Sequence, residues 1–317
     1  MRLIIPSESF LLAVRPRFAE LSALLPVPQD EYLAYRGLSK WDLFKTCANG
    51  GLAEHLPPFR LIEEHDGQTT ADQLRELDEP LFLKVDGAYS RDDSSGTVIR
   101  CETRDIAVDR LKTVRNRYRR VLVQGYVPGV GVGAFLARWR GNLLGEFMHR
   151  RIHEVPHTGG ASSFRAAWRH PAIIADARAR AMLLRWEGVG MFEYRWNPAD
   201  DRFYLMEFNS RFWRSLHLAL FAGVDFPHLL ADAFFNHTNS PVTDYSLVRC
   251  RLTFPTEVEY VWSCLKDSSL SWPRRLWPVV EFAFLGLDPT VYSDLSYRGD
   301  RMLYWRMMIR SIRRFLT

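Results

Sequence analysis

The sequence predicts an α+β (α/β) chain in which short strands alternate with helices. Three observations point there. Apolar runs of strand length recur at 81–85, 121–127, 133–139, 143–149, 190–196 and 202–209. Patterns of helical period separate them, at 105–118, 171–187 and from 212 to Gly223. The runs GMFEYRW and RFYLMEFN are joined by the turn residues NPADD, which is a hairpin signal.

Length and composition fit that class. A chain of 317 residues holds two or three subdomains, at about 100–200 residues per domain. Hydrophobic residues at 47% and charged residues at 25% match a globular chain with a sizeable core. No run of 18 apolar residues occurs, so no transmembrane helix is expected. Pro6, Ser7 and Glu8 break the N-terminal apolar stretch, which makes a poor signal peptide. Cys47, Cys101, Cys250 and Cys264 form no CxxC pair, which argues against a zinc knuckle or a redox motif. Reduced cysteines and a cytoplasmic location are the simplest expectation. The triplet Asn236-His237-Thr238 is read as chance. The net charge of +5, carried mostly by arginine, suits polyanions such as nucleotides, nucleic acid or acidic lipid, or else a solvated basic surface.

In chain order, 2–5 read as a short strand, 8–24 as a helix, and 30–50 as helical, stopped by Asn49-Gly50-Gly51. FRLI then reads as a strand and 70–78 as a polar helix. LFLKV (81–85) runs into the Gly/Ser/Asp-rich loop 86–96, and TVIR leads out of it. The segment 150–163, rich in His, Pro and Gly, reads as a loop. Gly223 suits a helix C-cap, and Asp225 with Pro227 suits the start of another helix. Residues after 245 carry weaker patterns and end in an amphipathic helix from about 301.

Candidate chemistry begins at the hairpin. Side chains alternate along a strand, so Glu193 shares a face with Met191 and Arg195, and Glu207 with Leu205 and Asn209. With NPADD as a five-residue loop, Trp196 sits opposite Arg202. Glu193 is then opposite Leu205 and diagonal to Glu207, roughly 7–8 Å away. Magnesium takes hard oxygen ligands, often one or two carboxylates plus substrate phosphates, and Glu193, Glu207 and Asn209 supply such a set. Arg211 follows and suits an anion. A solvated polar hairpin face is the alternative. Lys84 ends an apolar strand before a loop whose N–H groups can cradle phosphate, although the GxxxxGK[ST] spacing is absent. A solvent-facing lysine beside a loop would look the same.

Taken in order, Lys40, FLKVDGAYS, VLVQGYVPG, EFNSR and AGVDFP resemble the ATP-grasp superfamily over roughly 36–235, and its uncharacterised carboxylate–amine ligase type in particular. The resemblance implies two α+β subdomains clamping ATP. It places 1–35 as a reduced N-terminal Rossmann-like segment and 36–245 as the ATP-grasp domain. Within that domain the small nucleotide-clamping part covers about 50–125 and the large metal-binding part about 126–245. Residues 246–317 would form a helical extension. It further implies ATP contacts from Lys40, Lys84, Ser90, Gln124, Gly125, Tyr126 and Val127, and magnesium (or manganese) on Glu193, Glu207 and Asn209. Arg211, Lys84 and Arg151 would serve catalysis, with Gly159, Gly160 and Ser162 bordering the acceptor. The implied reaction activates a carboxylate as an acyl phosphate and joins it to an amine. The family is often dimeric. Gly125 departs from it by replacing the usual hinge carboxylate, Val85 by replacing a frequent proline, and the stretch before Lys40 by being short.

Two further readings compete. One is an ATP-binding regulatory protein that kept the clamp without catalysis. The other is a nucleic-acid binder using the basic stretch 109–120, although no nucleic-acid motif is present and none is expected as a partner. His149, His153 and His157 are spaced by four, but Pro156 and the glycines favour a loop over a zinc-binding helix face. In the terminal segment 301–316, Arg306, Arg310 and Arg313 share a face, with Trp305, Met308, Ile309 and Ile312 largely opposite. Such a helix either docks on its own core, the favoured expectation, or lies weakly on an anionic membrane.

Overall fold

The computed structural model describes residues 4–5, 7–92, 96–157, 160–236, 240–296 and 299–316. Parts of several expectations lie outside these residues: the start of the 2–5 strand, Gly159, and His237 with Thr238 of the glycosylation triplet. The elements in chain order are α1 (Glu8–Val14), α2 (Phe18–Leu21), α3 (Glu31–Arg36), α4 (Lys40–Asn49), β1 (Phe59–Ile62), β2 (Leu81–Val85), β3 (Thr97–Cys101), α5 (Arg104–Arg117), β4 (Val121–Gln124) and β5 (Val130–Trp139). There follow β6 (Asn142–Val155), β7 (Ala161–Ala167), α6 (Pro171–Leu183), β8 (Gly188–Trp196), β9 (Phe203–Asn209), α7 (Leu216–Ala222) and α8 (Phe226–Asn236). The chain closes with β10 (Arg249–Arg251), α9 (Val258–Lys266), α10 (Trp272–Leu287), β11 (Val291–Ser293) and α11 (Arg301–Leu316). The α+β class is as the sequence predicts.

Two compact units are present. Unit 1 comprises Met1–Leu144, Pro171–Phe212 and Leu230–Asn239; unit 2 comprises Gly145–His170, Trp213–Leu229 and Ser240–Thr317. In unit 1, β1, β4, β2 and β3 form an antiparallel sheet in that order. Leu81, Leu83 and Val85 alternate onto one face of β2 and pack with Leu111 and Val114 of α5. Burying such side chains contributes about 1.5–3 kcal/mol each. The same alternation turns Lys84 to the other face. A second antiparallel set, β5-β8-β9, completes the unit. In unit 2, β6, β7 and β10 run antiparallel to their neighbours, and β11 adds parallel to β10.

Five expectations about elements change. The expected 8–24 helix is broken by 3-10 turns at 15–17 and 22–24, and 30–50 by the turn before Ser39, which caps α4. The helix expected at 70–78 shrinks to a 3-10 turn at Asp72–Leu74. There the Arg104 guanidinium takes the carbonyls of Leu74, Arg75 and Leu77, acceptors that a helix would use itself. The expected loop 150–163 is mostly strand, because β6 runs on to Val155 and β7 begins at Ala161. The C-terminal stretch, expected to be helical, also carries β10 and β11. Gly223 does cap α7, at φ 100°, and Asp225 accepts the His228 N–H at the start of α8.

Candidate functional site

The site assembles from three elements of unit 1: the start of α4, the end of β2 and the β8–β9 hairpin. The hairpin register differs from the expected one. Trp196 pairs with Phe203, not Arg202, because the Asn197 N–H closes the turn on the Arg202 carbonyl and Asp201 takes φ 59°. A bulge then falls between the Glu193 and Tyr194 pairings, with Met206 as the extra residue. A bulge shifts register by one and re-aims the side chains beyond it. As a result Glu193 stands directly opposite Glu207, and Met191 opposite Asn209. The two carboxylates are closer partners than the diagonal arrangement expected from an unbroken ladder.

The polar groups of β9 form a chain. Asn209 Nδ2 donates to Glu207 Oε1 at 2.9 Å, and Arg211 Nη2 donates to Asn209 Oδ1 at 3.3 Å. Lys40 Nζ lies 3.2 Å from Glu207 Oε2. Burial works to raise the Glu207 carboxyl, but Lys40, Asn209 and Lys84 together hold it below the usual carboxylate range. Among the described residues, no three His, Cys, Asp or Glu side chains gather to hold a metal. Two facing carboxylates with an amide oxygen fit a cation that completes its shell with phosphates and water, as magnesium does. They do not make an all-protein cage.

Lys84 is buried, at 8% exposure. Its Nζ donates to Gln124 Oε1 at 2.6 Å. Burial pushes its pKa down to about 8, and Lys40 adds repulsion; Glu207, Glu193 and Asp86 pull the other way without restoring it. Gln124 thus anchors the lysine, and its amide also reaches Met206 Sδ, the bulge residue, at 3.7 Å.

The segment after β4 spends backbone groups internally. The Gly125 N–H donates to the Pro58 carbonyl and the Tyr126 N–H to the Asp78 carbonyl. A Cβ on Gly125 would lie 3.0 Å from Asp78 N and 3.2 Å from Leu77 Cα, so a side chain here would need the 77–78 backbone to give by a few tenths of an ångström. Tyr126 is exposed and Val127 is buried. Ser90 follows a 3-10 turn at Gly87–Tyr89 and donates to Asp92 Oδ1 at 2.8 Å.

Sequence reasoning missed Asp86. Its Oδ2 accepts from Ser39 Oγ at 3.0 Å and from the Trp41 N–H at 3.3 Å. It therefore ties the loop after β2 to the first turn of α4, where Lys40 sits, and sets both lysines in one frame. Its adjacency to Lys84 in the strand-to-loop turn was the available signal. Also missed was Arg120, which stacks on Trp41 and Tyr89 at 4.2 and 4.4 Å while Tyr89 O–H binds Asp42.

Other expectations resolve less centrally. Arg151 is not part of the unit 1 group: it lies on β6 in unit 2 and donates to Glu154 and to the Gly160 carbonyl. Ser162 begins β7 and donates to the Phe164 carbonyl. The three histidines stand on or just past a strand, with separate partners. His149 meets Ser215, His153 meets Glu257, and His157 meets Ser263 and Asp267. In the basic stretch 109–120, Arg110, Lys112, Arg117 and Arg119 are exposed, and several of the cations have partners within the chain. Arg115 holds the carbonyls of Glu63, Glu64, Asp66 and Gly67, Arg117 pairs with Asp92, and Arg120 with Asp42. No single helix among the described residues is long and apolar enough to cross a membrane.

No family model matches the chain, and no curated protein matches it. Solved structures do. A D-alanine–D-alanine ligase from Bacillus anthracis complexed with ATP aligns at TM-score 0.52 and 16% identity, over 71% of this chain and 72% of its own. Phosphoribosylamine–glycine ligase from Thermotoga maritima aligns at 0.56 and 13%, over 78% and 65%. A biotin carboxylase complexed with an ATP species, from Campylobacter jejuni, aligns at 0.52 and 14%, over 72% and 53%. At these identities the likeness is one of fold, and this chain spans only part of each neighbour.

Proposed function

We propose, from the ATP-grasp fold that this chain carries, that it is an ATP-dependent ligase joining a carboxylate to an amine. The observation that carries the reading is the state of Lys84. Its ammonium is buried, donates to the neutral Gln124 amide and lies beside a second lysine, and burial above all pushes it down to about 8. A bound polyphosphate would give both lysines direct charge partners.

In this reading Lys40 and Lys84 grip the phosphates, and the loop through Ser90 covers them. The Tyr126 carbonyl and the Val127 N–H meet the adenine edge, since the Gly125 and Tyr126 N–H groups are already engaged. Glu193, Glu207 and Asn209 hold magnesium, or manganese in its place. When bound, the metal neutralises phosphate charge. A substrate carboxylate oxygen attacks the γ-phosphorus, the bond to the β,γ-bridging oxygen breaks, and ADP departs. An amine then attacks the acyl carbon of the resulting acyl phosphate, phosphate leaves, and the amine gives up a proton. Arg211, held through Asn209, orients the carboxylate and then the acyl phosphate. Alignment and charge neutralisation suffice here, with no covalent bond to the protein.

The test is release of ADP and phosphate from MgATP, screened against pools of amino acids and small carboxylates, for wild type and Glu207→Ala. Turnover stimulated by one pool and lost in the variant is expected. Unchanged turnover in Glu207→Ala would sink the metal assignment. Tight ATP binding with no turnover on any pool would favour a catalytically silent clamp.

A further inference from the structure

The C-terminal helices of unit 2 expose apolar side chains that a helix docked on its own core would hide. At 100° per residue, Trp272, Leu276, Trp277, Val280, Phe284 and Leu287 of α10 fall within an arc of about 140°. Four of them are 60% or more exposed: Trp272 at 69%, Trp277 at 60%, Phe284 at 66% and Leu287 at 82%. Pro278 and Leu285, on the other side, are the buried residues of this helix. α11 repeats the arrangement. Met302, Trp305, Ile309 and Ile312 are all exposed, Trp305 at 54%, while Ser311 faces inward. The sequence favoured docking of this helix on the core; α11 does dock, through Tyr304 against Phe254 and the buried Ser311, with Met308 half-buried, but Trp305, Ile309 and Ile312 face solvent.

Charge identifies the occupant. α11 has five arginines (Arg301, Arg306, Arg310, Arg313 and Arg314) and neither Asp nor Glu. Arg306, Arg310 and Arg313 are exposed along one edge of its apolar stripe. On α10, Arg274 is exposed and Arg275 lies over the Trp272 ring at 4.8 Å. On α9, Lys266 lies over the exposed Trp262 ring at 4.9 Å. Aromatic and aliphatic residues edged by arginine suit the headgroup zone of an anionic bilayer, where the apolar face sinks and the cations meet phosphate. A second copy fits worse. An isologous contact through α11 would pack a helix with five arginines and no acidic residue against another of the same kind.

We infer that unit 2 carries a peripheral membrane-binding surface, formed by the exposed faces of α10 and α11 and selective for anionic lipid. It lies in the interface without spanning, and it does not depend on the ligase reading. The experiment is co-sedimentation of the full chain with vesicles of phosphatidylcholine alone or mixed with phosphatidylglycerol, at low and high salt, with tryptophan emission recorded. Two surface variants accompany it, Trp277→Glu with Leu287→Glu, and Arg306→Glu with Arg310→Glu. Pelleting with the anionic vesicles only, a blue-shifted emission, and weakening by about tenfold or more in each variant are expected. Wild type failing to pellet with anionic vesicles at low salt would overturn the inference. So would pelleting unaffected by either variant, or a dimer in solution that the apolar variant abolishes while no vesicle binding occurs. MgATP turnover of both variants, expected to match wild type, keeps this outcome separate from that of the ligase assay.

Discussion

Two buried cations, one in each unit, meet opposite fates. In unit 2 Arg165 is 1% exposed and Asp294 is 3% exposed. Burial works against the guanidinium, but Asp294 accepts from it with both carboxylate oxygens and holds its pKa above the ordinary range. Cys250 donates to the same carboxylate at 2.8 Å. In unit 1 Lys84 is also buried, yet its direct partner is the neutral Gln124 amide, and its pKa falls to about 8. The first cation has its charge compensated within the chain, although its buried Nε has no hydrogen-bond partner. The second, on the proposed reading, is completed by a bound polyphosphate. The opposite directions follow from the partners: a carboxylate at Arg165, a neutral amide and a second lysine at Lys84.

The largest effect that could break this contrast is in unit 2. Asp294→Asn strands the Arg165 charge in the interior. Removing one partner of a buried pair typically costs about 3–5 kcal/mol, because the remaining charge is uncompensated. Urea denaturation should show a loss of that size. A loss below about 1 kcal/mol would mean that Arg165 finds another partner or water, and the pair would no longer count as complete.

Lys84→Met should do the reverse. Below pH 8 both the folded and the unfolded chain carry the lysine charge, so the cost of burying it is fully present. Between pH 8 and the ordinary value of 10.5 the unfolded chain keeps a proton that the folded chain releases, so stability rises with pH across that window. The shift corresponds to an effect on the order of 3 kcal/mol. Met removes it, but Gln124 Oε1 loses its donor, which costs about 1–3 kcal/mol. A small net gain near pH 7, of about 1 kcal/mol, is expected, together with loss of ATP binding and a flatter pH–stability curve. Denaturation series from pH 7 to 10 on both proteins would read this out. Destabilisation of Lys84→Met by several kcal/mol at pH 7 would recast Lys84 as a structural cation like Arg165.

Legibility in the sequence divides by the range of the interactions involved. The strands carrying Lys84, Glu193 and Glu207 were readable, because apolar alternation is a local property. The shared face of the two glutamates was readable for the same reason. Their direct opposition was not. It follows from Asp201 at φ 59°, which lengthens the turn, and from Met206, which bulges where it meets Gln124 from another sheet. The 70–78 helix failed because Arg104, some thirty residues on, claims its carbonyls. The α11 pattern was visible as amphipathic, but no periodicity says which face meets the protein. Asp86 was overlooked because its partner, Ser39, is 47 residues away in sequence.

That last pair gives the finest test of how the anion site is framed. Ser39 caps α4, accepting the Asp42 N–H at 3.1 Å while donating to Asp86 at 3.0 Å. Ser39→Ala removes both bonds, and loss of such a cap costs about 1 kcal/mol. Asp86 keeps its bond from the Trp41 N–H, so the loop stays attached but less firmly. The Lys40 ammonium, one residue past the cap, should lose definition without losing its place. The expectation is a KM for ATP raised several-fold with kcat nearly unchanged, and recovery of both KM and stability in Ser39→Thr, whose hydroxyl can make the same two bonds. An unchanged KM in Ser39→Ala, alongside the expected stability loss, would confine the cap to folding and leave Lys84 alone as the cation that waits for phosphate.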